Sequence, residues 1–146
     1  MENDIQLVAC SLDNEEYGID IRNVQEIIRL LDITRVPHAS PYMAGVVNLR
    51  GMVIPVMNIR KRFGMPEKEP QETTRIVIVS WNGSPVGIIV DSVSEVIRLE
   101  RKNIESPPTC SQQVNQEFFT GIGKQGKRLL IMLNLGKVLN INSDNC

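Results

Sequence analysis

Aromatic side chains are scarce in this chain. Its 146 residues include one Trp, two Tyr and three Phe: Trp81, Tyr17, Tyr42, Phe63, Phe118 and Phe119. A base-stacking platform needs more rings, interleaved with basic residues. Nor is there an excess of positive charge. Sixteen Lys and Arg face 17 Asp and Glu, giving a net charge of −1 and a pI of about 5.9. The electrostatic footprint of a non-specific nucleic-acid binder is therefore missing. Histidine occurs once, as His38, and cysteine three times, as Cys10, Cys110 and Cys146, with no CxxC pair. An odd, scattered cysteine count argues against a disulfide framework, and one His with three distant Cys argues against zinc. No metal and no cofactor is expected.

Long hydrophobic runs are also lacking. Stretches such as Val86 to Val90 are far too short to span a bilayer. The opening Met-Glu-Asn-Asp is acidic and has no apolar core, so no secretory signal is expected. The expectation is a soluble cytoplasmic protein. Phosphate-loop signatures are missing too: there is no GxxxxGK[ST] and no GxGxxG. Gly121-Ile-Gly-Lys124 only superficially resembles one and reads as a hairpin turn. His38 lies in the turn-like Val36-Pro-His-Ala-Ser-Pro41 with no nucleophile or orienting partner nearby, and reads as a loop residue. Cys10, inside Leu7-Val-Ala-Cys10, reads as a small buried hydrophobe. No enzyme is expected.

Apolar residues make up 42% of the chain, enough for a real core. Their most informative feature is repetition. Shifted by 69 residues, Leu7–Leu30 lies on Ile76–Leu99 without a gap, with nine identities in 24 positions: Val8/Val77, Ser11/Ser80, Gly18/Gly87, Ile19/Ile88, Val24/Val93, Glu26/Glu95, Ile28/Ile97, Arg29/Arg98 and Leu30/Leu99. Composition alone would give about two. A weaker match at a shift of 76 places Gly45 on Gly121, Asn58 on Asn134 and Lys61 on Lys137. The chain reads as two copies of one unit, 5–63 and 75–140, joined by a Pro-rich, charged linker at 64–74.

Each copy reads as β structure. Strands are expected at Ile5–Leu12 and Arg75–Trp81, returning at Tyr17–Ile21 and Val86–Asp91 through turns at 13–16 and 82–85; Asn82-Gly83 is a strong hairpin signal. Asn23-Val-Gln-Glu26 and Ser92-Val-Ser-Glu95 fit a capping pattern and predict one helical turn each, with strands resuming at Ile27 and Val96. Met52–Met57 and Leu129–Leu133 are further strands. Pro55 marks an edge or bulge in the first of them. Ser40–Gly45 and Ile59–Gly64 read as short helices stopped by glycine. Units this small are marginal alone and should pack on each other as two small rolled barrels.

The repeated residues also carry a family resemblance. Tyr17-GIDIRNVQEI, Val36-PHASPYMAGVVNLRGMVIPVMNIRKRFG, Val86-GIIVDSVSEV and Phe118-FTGIGK together resemble the CheW family of chemotaxis adaptors, over about Ile5 to Leu139. Asn58 and Asn134 depart from the Asp that the family often carries there. The resemblance implies an all-β fold of two five-stranded SH3-like barrels around a shared core, with short helices. It implies a non-catalytic adaptor that couples transmembrane methyl-accepting chemoreceptors to the histidine kinase CheA. Receptor tips would dock between the barrels and the kinase on the first barrel, at positions not assigned; Ile104–Cys110 is a candidate second kinase contact. No nucleic acid and no membrane insertion is implied, only recruitment to receptor arrays through partners.

Six residues stand out as receptor-binding candidates. Val24 and Val93 are equivalent in the two repeats, as are Ile27 and Val96. Core packing is the ordinary reading of such residues; the resemblance implies instead an apolar wall that accepts an amphipathic helix. Arg50, followed by Gly51, interrupts the apolar stretch Val46–Ile54. It reads either as a snorkelling strand-end arginine or, by the resemblance, as a guanidinium that hydrogen-bonds the receptor. The repeat alignment puts Gly126 opposite Arg50. The competing readings are a small-ligand-binding β-barrel regulator and an adaptor in a related, non-flagellar pathway.

Overall fold

The computed structural model describes residues 4–106 and 117–139; Cys110, Cys146 and most of Ile104–Cys110 lie outside these. Eleven strands are described: β1 Asp4–Leu12, β2 Glu15–Asp20, β3 Val24–Arg29, β4 Met43–Leu49, β5 Met52–Asn58, β6 Arg75–Trp81, β7 Ser84–Val90, β8 Ser92–Glu100, β9 Ile104–Glu105, β10 Phe119–Gln125 and β11 Arg128–Leu133. Two short helices, α1 Ile59–Arg62 and α2 Leu135–Leu139, follow β5 and β11. One sheet has the order β8-β1-β2-β11-β10-β9, the other β3-β6-β7-β5-β4. The all-β fold has two sheets as expected, with the two-residue β9 as a sixth strand in one of them.

The two sequence halves are interlaced. Hairpin β1–β2 of the first half pairs with β8 and β11 of the second, and hairpin β6–β7 pairs with β3 and β5 of the first. Neither 5–63 nor 75–140 is a sheet by itself. The exchanged hairpins join through parallel pairs, Tyr17↔Ile131 and Gly18↔Met132 in one sheet, Val56↔Gly87 to Asn58↔Ile89 in the other.

Both sheets are rolled. β8 and β9 lie at opposite ends of their sheet, yet only the 3-10 turn Arg101–Asn103 separates them. A flat six-stranded sheet would hold its ends ~24 Å apart, whereas four Cα steps reach at most ~15 Å. In the other sheet, the chain leaving β3 returns to bridge Thr34 to Val46 on the far strand β4. Gly45 and Gly121, aligned by the repeat, occupy equivalent points of these closures. A Cβ on Gly45 would fall 2.2 Å from the Thr34 carbonyl oxygen, and one on Gly121 2.9 Å from that of Glu105.

Three apolar clusters result. Leu7, Ala9, Ile97, Leu99 and Leu130 fill the barrel of the six-stranded sheet, and Val47, Ile54, Val56, Ile76 and Ile78 that of the five-stranded sheet. The third, between the sheets, includes Cys10, Leu12, Tyr17, Ile19, Met57, Val77, Val79, Ile88, Val90 and the rings of Phe63 and Phe118. Alternation along β6 explains the near-continuous apolar run: Ile76 and Ile78 face the barrel, Val77 and Val79 the shared core.

Several local expectations change. The 3-10 turn after β2 is Ile21–Asn23, capped by Asp20, whose Oδ1 accepts from the Arg22 amide at 2.9 Å. Asn23–Glu26 and Ser92–Glu95 are not helical turns: pairing to β6 and β1 draws the chain into β3 and β8. Ser40–Gly45 is a turn leading into β4, not a helix. Gly121–Lys124 lies within β10, with the hairpin turn beyond it at 126–127. Pro55 sits in an interior strand, but β5 pairs with β7 only from Val56 onward, so no ladder bond to β7 is lost at Pro55. Asn58 and Asn134 both cap the helix that follows, their Oδ1 atoms accepting from the amides of Lys61 at 3.2 Å and Lys137 at 3.3 Å. That shared task explains the second repeat match.

Candidate functional site: two edge strands and an arginine clasp

Val24 and Ile27 lie on β3, Val93 and Val96 on β8. Each strand ends its sheet and pairs with one neighbour only, β3 with β6 and β8 with β1. A bulge within each strand keeps both residues on one face: Val24 and Ile27 stand opposite Val79 and Val77, Val93 and Val96 opposite Cys10 and Val8. Val24 and Val93 are half-buried and pack against the central cluster from the two sheets. Ile27 and Val96 lie farther along those faces, beyond the cluster, and are 39% and 49% exposed. The ordinary core reading thus holds in part for the two valines at 24 and 93, while Ile27 and Val96 are free for a partner.

Arg50 and Gly51 form the two-residue turn between β4 and β5, both with positive φ (53° and 87°). Asn82 and Gly83 make the same turn between β6 and β7 with φ of 53° and 79°. Asn-Gly is the pair such turns favour, because Asn tolerates the left-handed region. Arginine there is uncommon, and a strained backbone conformation motivates a functional reading. Arg50 Nη2 donates to Glu26 Oε2 at 2.5 Å, across the seam between the β4–β5 hairpin and β3. Its side chain is 68% exposed, and among the described residues only that one nitrogen is engaged. The remaining donors of its fork face solvent beside Ile27's strand, in a cleft lined by Gln25, Leu49 and Met52.

The other barrel carries a counterpart that alignment conceals. Arg128, two residues past Gly126, donates through Nε and Nη2 to both carboxylate oxygens of Glu16 (2.7 and 2.9 Å) and through Nη1 to Glu95 Oε2 (2.7 Å). Glu95 is the repeat equivalent of Glu26. Each barrel is therefore clasped by an arginine from its hairpin to a glutamate on its edge strand. The clasps differ in what they leave free. Arg128 is 30% exposed and its fork is filled; at the position equivalent to Glu16 the first clasp has Pro85. The Arg128 contact also holds the Glu16 carboxyl below its usual range, a hydrogen bond outweighing the opposing effect of burial.

The structure thus joins Val24, Ile27 and Arg50 on one sheet through Glu26, and Val93 with Val96 on the other; the two groups share the central cluster. Sequence reasoning missed Glu26, Glu95 and Arg128. Glu26/Glu95 was among the nine repeated identities, the one signal that could have found the clasp.

A family description, the CheW-like domain, matches residues 6–142. The chain belongs to the CheW family. It is 36% identical over 135 residues to a chemotaxis protein CheW of Klebsiella aerogenes, covering 92% of this chain and 81% of that one. It is 37% identical over 138 residues to a chemotaxis protein CheW of Bacillus subtilis, covering 94% and 88%. Among solved structures it resembles the crystal structure of a scaffolding protein, TtCheW, from Thermoanaerobacter tengcongensis, with a TM-score of 0.85, 35% identity and 94% of each chain covered. Membership of the CheW family places the chain among chemotaxis coupling, or scaffold, proteins.

Two buried arginines hold this CheW-type framework. Arg60 on α1 donates to Asp91 Oδ1 and Oδ2 (3.2 and 2.7 Å), to Asp13 and to the Pro66 carbonyl (2.7 Å). It ties the β1–β2 turn, the β7–β8 joint and the linker together. Burial pushes the Asp91 carboxyl up, but Arg60, the Asp13 amide and Lys68 outweigh this and hold it below its usual value. Arg62 donates to the carbonyls of Val138 (3.1 Å) and Lys137 (2.9 Å), the last turn of α2, and lies over the rings of Tyr42 and Phe118. Cys10 is fully buried, and desolvation pushes its thiol up to about 12. His38 is exposed in its loop with φ of 65°.

Proposed function

We propose that the chain is a non-catalytic adaptor of bacterial chemotaxis, coupling the cytoplasmic tips of methyl-accepting chemoreceptors to a CheA-type histidine kinase. The observation that carries this reading is the pair of exposed apolar residues on equivalent edge strands, Ile27 and Val96, one of them beside an arginine with donors to spare. An amphipathic receptor helix offers the matching chemistry: apolar side chains for Ile27 and Val96, and a carboxylate or carbonyl for Arg50. Val24 and Val93 back these contacts from the core, and Gly51 keeps the turn that presents Arg50.

The kinase docks on the first sequence half, 5–63, and receptor control reaches it through this chain. Its place of work is the cytoplasm, recruited to receptor arrays through partners; among the described residues no helix is long and apolar enough to cross a membrane. The alternative of a small-ligand-binding barrel has weaker support, because both barrel interiors are filled by their own side chains. The test is co-sedimentation of the chain with receptor-bearing membranes and, separately, capture by a CheA-type kinase. Binding to both is expected. Binding to neither overturns the proposal.

A further inference from the structure

Arg29 on β3 and Arg75 on β6 stand directly opposite each other in antiparallel register. Residues so placed share a face with Cβ atoms ~5 Å apart, and like charges there are destabilising. The repeat does not demand this. The equivalent register pair in the other sheet is Arg98 with Gln6, a single charge. Among the described residues, neither Arg29 nor Arg75 has a carboxylate partner to offset the repulsion. Arg75 is instead aimed by two carbonyls, its Nη1 donating to Glu72 (2.7 Å) and Thr74 (2.9 Å), which leaves Nε and Nη2 unengaged. Both arginines line one open cleft with Leu30, Gln71, Glu72, Thr73 and Thr74, two cationic side chains against one carboxylate. Its wall is a fixed turn: the Thr74 amide donates to the Gln71 carbonyl (3.0 Å), and the Gln71 amide to Thr74 Oγ1 (2.9 Å).

We propose that this cleft is an oxyanion site that takes a phosphoryl group, free or carried on a small molecule. A dianion between the two guanidiniums converts their repulsion into two charge-assisted contacts, with the planar fork suited to tetrahedral oxyanions. The Thr73 side chain and Gln71 add neutral polar groups to the cleft. The site lies at the far end of β3 from Val24, two residues past Ile27 on the same face, and phosphate binding there does not rest on the adaptor reading.

The test is a backbone-amide NMR titration of the full chain with inorganic phosphate at constant ionic strength, with chloride as the monovalent control. Saturable shifts at 29–30 and 71–75 are expected with phosphate and not with chloride. Arg29→Gln, at a side chain with no hydrogen bond among the described residues, should weaken binding at least tenfold. Arg75→Gln should do the same, and Arg98→Gln should leave it unchanged. A parallel titration with ADP separates the sources: equal affinity means that the phosphoryl group alone is read, and tenfold tighter binding means that it is read on a nucleotide. Shifts that do not saturate, or that survive Arg29→Gln, overturn the proposal.

Discussion

Arg50 occupies a turn position that suits asparagine, so Arg50→Asn should separate its structural from its functional role. An L-residue in the left-handed region costs about 1–2 kcal/mol, and Asn is among the few that tolerate it. Relief of that cost is worth about 1 kcal/mol. Against it stands loss of the ion pair to Glu26. With Arg50 68% exposed, that pair contributes at most a few tenths of a kcal/mol after solvent screening. The net change is about +0.5 kcal/mol, a rise of about 1–2 °C in Tm for a domain of this size. Arg50→Ala keeps the backbone cost and loses the pair, so it should melt below Arg50→Asn. Receptor binding should fall in both by about 1–3 kcal/mol, as for truncation of a hot-spot side chain. Calorimetry and a receptor-tip binding assay on the same preparations check this. A fall in Tm of more than about 4 °C in Arg50→Asn, with receptor binding intact, would show that Arg50 is a fold clasp and refute the reasoning.

Other substitutions distinguish surface from core. Val96→Asp and Ile27→Asp place a carboxylate on an exposed edge and should abolish receptor docking with Tm within about 2 °C of the parent, whereas Val93→Asp, half-buried against the central cluster, should lose stability as well; urea unfolding beside binding assays separates them. Arg60→Met should cost about 2–3 kcal/mol at pH 7 by removing the main partner of Asp91, less than breaking a fully buried pair because the Asp13 amide and Lys68 still reach Asp91 and Asp13 is half exposed. Because Asp91's folded pKa is depressed, the stability it contributes is present above about pH 4 and lost as pH falls through the folded pKa. The difference between Arg60→Met and the parent should therefore shrink between pH 7 and pH 3 in denaturant titrations. Arg128→Gln should cost about 1 kcal/mol and speed hydrogen exchange along β8, while an unchanged exchange rate there would remove Arg128 as a clasp.

The hairpins and their repetition were legible because they are local. Asn82-Gly83, the alternating apolar runs and the repeated Gly and Asn positions each report on neighbours within a few residues. The interlacing was not legible, since a repeat shows that two units are alike and not which strands they pair with. Strand pairs β2–β11 and β5–β7 are parallel and far apart in sequence, and no turn between them records the choice. Arg60 and Arg62 read only as basic residues in the last turn of a short helix; their burial depends on Asp13, Asp91 and α2, brought in from distant segments. At the candidate site, repetition and resemblance nominate Val24, Ile27, Arg50, Gly51, Val93 and Val96. The second clasp was hidden by a two-residue offset, Arg128 standing where alignment looked to Gly126. The strain at Arg50 had a weak signature, an Arg-Gly pair between two strands where Asn-Gly is usual.

The central claim is coupling, and it is tested most directly in a reconstituted mixture of this chain, a CheA-type kinase and receptor-bearing membranes, reading ATP-dependent kinase autophosphorylation. The chain should raise kinase activity, receptor ligand should then alter it, and Arg50→Asn should remove both effects while still capturing the kinase. Kinase activity that responds to receptor ligand equally with and without the chain would contradict that claim.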